Sequence, residues 1–218
     1  MRTGDHDSIW VRRREDGYVI AGALAVLVIA SVLASADRIS ALEEEVFRFF
    51  NGWPDWLEQP LWPLMQAGAV LFVPLSAAVV LVVWRKVRLA AGMMLSGGLV
   101  WLGAKVVKEI VPRERPGDLL TDVVERPDWS GLGFVSGHAA VAFALATVAS
   151  PYVPGRWKWL LWAVPVATIV LRIYTGAHLP LDVIGGAALG VAVGAAVNLG
   201  LGVPERRRPA PEVTAVEM

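Results

Sequence analysis

The sequence predicts an all-α integral membrane bundle of six transmembrane helices, with a short amphipathic interfacial helix after the first. Three observations carry this reading. Of the 218 residues 56% are hydrophobic, whereas a soluble domain holds roughly 45–50% apolar residues. Charged residues, 18% of the chain, gather between apolar runs. Six runs approach the length of about 20 mostly apolar residues that a helical span requires. They cover roughly 18–36, 60–84, 89–111, 136–153, 159–175 and 182–203.

The first run starts near Tyr18, after a charged tail, and reaches about Ala36. It is longer than the apolar core of a signal peptide, so a retained helix is expected despite the small residues Ala34-Ser35-Ala36. Between Asp37 and Glu58, Leu42, Val46, Phe49 and Phe50 recur near helical spacing among Glu43, Glu44, Glu45 and Arg48, the pattern of an interfacial helix. Gly52 and Pro54 end it. Lys105 and Lys108 dilute the third span, and Arg172 closes the fifth. The domain expected is 18–203, flanked by cytoplasmic tails 1–17 and 204–218.

Positive residues mark cytoplasmic loops. With six spans one side collects Arg2, Arg12 to Arg14, Arg85, Lys86, Arg88, Arg156, Lys158 and Arg206 to Arg208. The other side holds Arg38, Arg48, Arg113, Arg115 and Arg126. Both termini are therefore expected in the cytoplasm and the polar clusters outside the cell membrane. A net charge of zero gives no bulk electrostatic attraction to nucleic acid. The absence of cysteine excludes disulfides, thiolate catalysis and Cys-ligated metals.

Three polar clusters interrupt the apolar runs: Lys108-x6-Arg115-Pro116, Ser136-Gly137-His138 and Arg172-x5-His178-x3-Asp182. Ionisable groups at the edge of a bilayer are costly and mark functional sites. Ser136 is a natural N-cap before an alanine-rich helix, whose first-turn N–H groups can bind phosphate beside His138. His178 and Asp182 share a helix face, so the carboxylate can hold one ring nitrogen and leave the other free. Arg115 and Arg172 can grip phosphate oxygens through two N–H groups each, and Lys108 adds a point charge. Arg113 and Arg126 read as solvated loop charges, Lys105 as a snorkelling side chain, and His6 carries no role. The stripe Asp182, Gly186, Gly190, Gly194, Asn198 predicts close packing against the small residues that follow His138: Ala142, Ala146 and Ser150. That packing would set His138 and His178 across one pocket. No metal-ligand set or cofactor motif is in view.

Together and in order, these clusters resemble the type 2 phosphatidic acid phosphatase family, which shares its site with vanadium haloperoxidases. The family pattern is Lys-x6-Arg-Pro, Pro-Ser-Gly-His and Ser-Arg-x5-His-x3-Asp, and the likeness runs from Lys108 to Asp182. The resemblance implies a membrane lipid phosphatase in which His178 is the nucleophile and forms a phosphohistidine, Asp182 orients it, and His138 serves as acid and then base. Lys108, Arg115, Ser136, Gly137 and Arg172 would hold the phosphoryl oxygens, with no metal or cofactor. Val135 stands where the family has proline and Leu171 where it has serine. The expected substrate is a lipid phosphate or diphosphate of the polyprenyl diphosphate, phosphatidic acid or phosphatidylglycerophosphate type, or a phosphorylated lipid-linked sugar. Partners are that substrate and membrane lipids, with a homodimer left open and nucleic acid excluded. The alternative is a transporter or lipid-binding protein that uses the cationic pocket without chemistry. Haloperoxidase activity fits poorly with so many apolar spans.

Overall fold

The structure is a computed structural model that describes residues 9–36, 38–126 and 130–205. His6, Arg2, Arg206 to Arg208 and most of both tails therefore lie outside the described residues. A two-residue strand, β1 (Trp10–Val11), precedes helix α1 (Arg14–Ala34). Leu24, Val28, Ile29, Val32 and Leu33 of α1 are exposed, as suits a lipid-facing helix. Its other side packs on the last helix.

Helix α2 (Ala41–Asn51) is the expected amphipathic helix, capped by Ser40, whose hydroxyl accepts from the Glu43 N–H. Its orientation inverts the simple picture. Leu42 and Phe49 are exposed, whereas Glu43, Phe47 and Asn51, four residues apart, face the bundle and are buried. Gly52 and Pro54 follow, as expected.

The run 60–84 is not one continuous span. It breaks into α3 (Glu58–Met65), with a 3-10 turn at Gln66–Gly68, and α4 (Phe72–Val79), which continues as a π turn over Val80–Trp84. The two halves are bent by 76°. Pro63 removes a helical donor near the break, and Pro74 stands in the first turn of α4, where its missing N–H leaves no helical bond unmade. Gly68 lies there against the backbone of His138, where a Cβ would meet the His138 Cβ at 2.8 Å.

Helix α5 (Val87–Ile110) matches the third run, and Lys105 lies over the Trp101 ring at 3.6 Å. A four-residue turn, α6 (Pro116–Leu119), follows, and then α7 (Gly137–Ala149). At 13 residues α7 is too short to span alone, and a 3-10 turn at Ser150–Tyr152 extends it. Ten of those residues are buried, so protein rather than lipid surrounds it. Helices α8 (Lys158–Tyr174) and α9 (Pro180–Leu201) complete the bundle. The strand β2 (Val203–Pro204) pairs antiparallel with β1. Among the described residues, four helices are long and apolar enough to cross a membrane, or five with the bent pair counted as one span.

The glycine stripe of α9 does face α7. A Cβ on Gly186 would meet the Ser136 carbonyl and Ala139, one on Gly190 the Ala140 carbonyl, and one on Gly194 the Thr147 side chain at 2.7 Å. Asn198 Nδ2 donates to the Thr147 carbonyl at 3.0 Å. The opposing face of α7 differs from the one expected. Ala139, Ala140, Ala144 and Thr147 meet α9, while Ala142 and Ala146 line an apolar cavity of about 220 Å³ against Phe72, Leu161 and Pro165. Alanines lie on both of these faces of α7, so its small residues do not select one.

Candidate active site

The end of α5, the end of α8 and the first turns of α7 and α9 converge. Lys108 sits in the last turn of α5 and its Nζ donates to the carbonyls of Leu132 and Gly133. Arg115 caps α6. Its Nε donates to the Ser130 and Gly131 carbonyls and its Nη1 to that of Ala177 at 2.6 Å. Two of the expected phosphate-binding cations thus also hold the 130–133 loop and the 175–179 turn in register.

Ser136 is the N-cap of α7, as its position predicts, and its hydroxyl accepts from the Ala139 N–H at 3.5 Å. A Cβ on Gly137 would meet nothing within 4 Å, so there is open space beside the first residue of this helix. Val135 is fully buried and its Cγ1 would lie 2.9 Å from a Cβ on Gly185, so it packs on α9 where proline was usual. Leu171 is buried in a cluster with Met65 and Tyr174. The hydroxyl of the family pattern is thereby replaced by apolar contact between α3 and α8.

Arg172, in the last turn of α8, is buried, with Nη1 3.6 Å from Met65 Sδ. The chain then turns sharply. Gly176 takes φ +73°, which a side chain would resist, and the amides of Ala177 and His178 both bond the Arg172 carbonyl at 3.2 Å. This turn delivers His178 to the N-terminus of α9. Its Nδ1 lies 3.5 Å from Asp182 Oδ2, and the Gly133 carbonyl lies beside the ring. Burial, then Arg172, Arg115 and Lys108, hold the His178 imidazole well below its ordinary pKa, so it is neutral near pH 7. His138 lies within electrostatic reach of Arg172, His178 and Arg115. All eight residues singled out from the sequence therefore border one region of the bundle.

Asp182 is fully buried. Its Oδ2 accepts from the Leu179 N–H at 2.8 Å, fixing the first turn of α9 after Pro180. Its Oδ1 accepts from Arg113 Nη1 at 3.1 Å. Arg113 is not a solvated loop charge. It is 9% exposed and clamps Glu43 of α2 through two N–H groups, at 2.9 and 2.7 Å. Burial pulls the Arg113 pKa down, but Glu43 and Asp182 outweigh that and hold it above its ordinary value. Burial lowers that of Arg115.

Arg126 is likewise buried. It donates to the carbonyls of Asn51, Trp53 and Tyr174 and pairs with Asp55 at 2.7 Å. Both arginines lie in loops, and a loop arginine is buried only when partners offset its desolvation, which local sequence does not reveal. The four-residue spacing of Glu43, Phe47 and Asn51 was the available signal for an inward polar face.

The PAP2 superfamily profile matches residues 85–202, more than half of the chain, from the start of α5 to the end of α9. The chain belongs to the PAP2 superfamily. A PAP2 relative, the lipid A 4′-phosphatase of Bacteroides thetaiotaomicron, is 26% identical over 173 residues, covering 71% of this chain and 74% of that one. The crystal structure of Aquifex aeolicus LpxE superposes with a TM-score of 0.68 at 28% identity, covering 74% of this chain and 98% of that one. The transmembrane PAP2-type phosphatidylglycerolphosphate phosphatase of Bacillus subtilis has the same fold, with a TM-score of 0.68 at 20% identity, over 83% of this chain and 94% of that one. With its apolar helices, the chain is a multi-pass membrane protein of this superfamily.

Proposed function

We propose that this protein is an integral membrane phosphatase that hydrolyses a lipid phosphate or diphosphate through a phosphohistidine on His178. The observation that carries the reading is the His178–Asp182 pair, 3.5 Å apart and buried among Lys108, Arg115 and Arg172. An anion-binding or transport pocket needs the cations but not an oriented neutral imidazole, which argues against the non-catalytic alternative.

The steps follow from the geometry and the family resemblance. The lipid phosphate enters over the open N-terminus of α7, where first-turn amides and three cations neutralise its oxygens. The Asp182 carboxylate, 3.5 Å from Nδ1, stabilises the Nδ1–H tautomer of His178 without taking its proton, so the Nε2 lone pair attacks phosphorus. The bond to the lipid oxygen breaks, and His138 donates a proton to that oxygen. His138, now neutral, takes a proton from water as the water attacks the phosphohistidine, releasing phosphate and restoring His178. The cations supply the charge that a metal would otherwise provide, so the reaction needs no metal and no cofactor.

The reading includes six membrane passes within 18–203, both ends in the cytoplasm and an extracytoplasmic site. In support, β1 pairs with β2, so the chain enters and leaves the bundle at the same end, which calls for an even number of passes. Trp10, Lys86, Arg88 and Tyr152 meet at that end. The short α7 with its 3-10 extension would then be the fourth pass.

The test is phosphate release in detergent from polyprenyl diphosphate, phosphatidic acid, phosphatidylglycerophosphate and a phosphorylated sugar lipid, with and without EDTA. The sugar lipid is included because of the Bacteroides relative. Release that survives EDTA and is lost in His178→Ala supports the proposal. Release from none of them, or release that requires added magnesium, sinks it.

A further inference from the structure

Asp182 receives help from an element outside the three polar clusters. Glu43, on the inward face of α2, holds Arg113 through both Nη atoms, and Arg113 Nη1 is shared with Asp182 Oδ1. Glu43 Oε1 also accepts from the Leu181 N–H at 3.0 Å, one residue before Asp182. The three side chains are all buried, with Glu43 5% exposed and Asp182 fully enclosed. One cation thus lies between two carboxylates at the N-terminus of α9.

Such an arrangement has two consequences. A guanidinium gripped by one carboxylate through two bonds has a fixed plane, so its remaining contact with Asp182 is fixed too. A shared cation also neutralises Asp182 only in part. The negative charge left at Oδ2, 3.5 Å from His178 Nδ1, favours a proton on that nitrogen and would balance the positive charge that the ring gains when Nε2 forms its bond to phosphorus. Without the Glu43 charge, Arg113 would pair with Asp182 alone and weaken that effect. Simple burial of an ion pair requires neither the second carboxylate nor its bond to the Leu181 amide.

We propose that Glu43 and Arg113 are positioning residues for the reaction: they set the place and charge of the Asp182 carboxylate, and through it the tautomer and reactivity of His178. This rests on the phosphatase reading above. It ties the docking of the interfacial helix α2 to the nucleophile.

The experiment uses the full chain in detergent and the best lipid phosphate from the substrate panel. Glu43→Gln keeps the shape and one acceptor oxygen but removes the charge, and Arg113→Lys keeps the charge but cannot bridge. Each should lower kcat on the order of 10–100-fold, by analogy with the outer partners of metal-bound histidines, with KM changed less than about twofold because the phosphate-binding cations stay in place. Glu44→Gln on the outer side of α2 should leave kcat unchanged. With only three histidines in the chain, imidazole ¹⁵N spectra are readable. Wild type should show His178 protonated at Nδ1, and Glu43→Gln should show a mixture of tautomers. Spectra come from whatever folded fraction is isolated, so poor folding of a variant does not block the test. Unchanged kcat in both variants overturns the proposal, and so does a loss of kcat with the His178 tautomer unaltered, which would mark a purely structural network. If the wild type releases no phosphate from any lipid, the phosphatase reading has failed instead. The tautomer shift would still decide whether Glu43 acts on His178.

Discussion

The Ser136 N–H donates to the carbonyl oxygen of Asp182 at 2.9 Å. This single backbone bond joins the N-cap of α7, the proposed phosphate-binding end, to the first turn of α9, beside His178. Two helix N-termini converge on one volume, and the glycine face of α9 allows them to approach so closely. Site geometry and helix packing are therefore one property here.

Gly190→Ala tests that link. The added Cβ would fall against the Ala140 carbonyl oxygen and the Ala144 amide. Overpacking of this kind costs about 1–3 kcal/mol, which exceeds the ~1 kcal/mol that alanine gains over glycine in a helix. The variant should unfold at a lower temperature in detergent and lose activity beyond its loss of folded protein. Gly98→Ala in α5, where a Cβ meets nothing within 4 Å, should keep both. Equal behaviour of the two variants would separate packing from the site.

The two histidines should differ in kind. His178→Ala removes the proposed nucleophile and should abolish both turnover and the phosphoenzyme. His138→Ala removes the proposed general acid, a kind of group that contributes about 10²–10⁴-fold, and should still form phosphohistidine from diphosphates, whose leaving group is good. Asp182→Asn should slow the reaction while leaving Lys108, Arg115 and Arg172 in place. Radiolabel from substrate, stable to base and labile to acid, reads all three. Label retained in His178→Ala and lost in His138→Ala would exchange the roles.

The three clusters and the α9 glycine stripe were legible in the sequence because charges and glycines stand out against apolar runs and keep fixed spacing. What was hidden depends on partners distant in the chain. Arg113 lies two residues from Arg115 and looks equally soluble, yet Glu43, 70 residues earlier, draws it inside. Glu43 itself sits in a run of three glutamates, and only its phase with Phe47 and Asn51 sets it apart. Pro63, Gly68 and Pro74 are each tolerated in membrane helices, so the 76° bend is a joint effect that no one of them announces. The pairing of β1 with β2 involves two residues on each side, too few for any strand periodicity.

Acid should destabilise the protein through His178. Its folded pKa lies well below the ordinary value, whereas in the unfolded chain it titrates near 6.5. Above about pH 6.5 neither state binds the proton and the contribution to stability is complete. As pH falls from there toward the folded pKa, only the unfolded chain gains the proton, and stability drops by up to about 1.4 kcal/mol per pH unit for this one group. His178→Asn removes that linkage. Its apparent Tm should fall less than that of the wild type between pH 7 and pH 5. Parallel Tm curves would mean that His178 is not held neutral by the fold.

Membrane orientation is open to a direct chemical test, since the chain contains no cysteine. The paired ends and the basic residues around them, Arg12 to Arg14, Lys86 and Arg88, belong to one face of the bundle. The turns carrying Arg115 and His178 belong to the other, because α5 and α8 end there and α7 and α9 begin there. Excess lysine and arginine stay in the cytoplasm, so the site should face outward. Asp118→Cys lies on an exposed turn beside the site, and Gly155→Cys lies in the turn before α8, with nothing within 4 Å of its Cβ. In intact cells a membrane-impermeant maleimide should label Asp118→Cys and leave Gly155→Cys untouched until the membrane is opened. The reverse pattern would put the site in the cytoplasm and restrict its substrates to lipid phosphates of the inner leaflet.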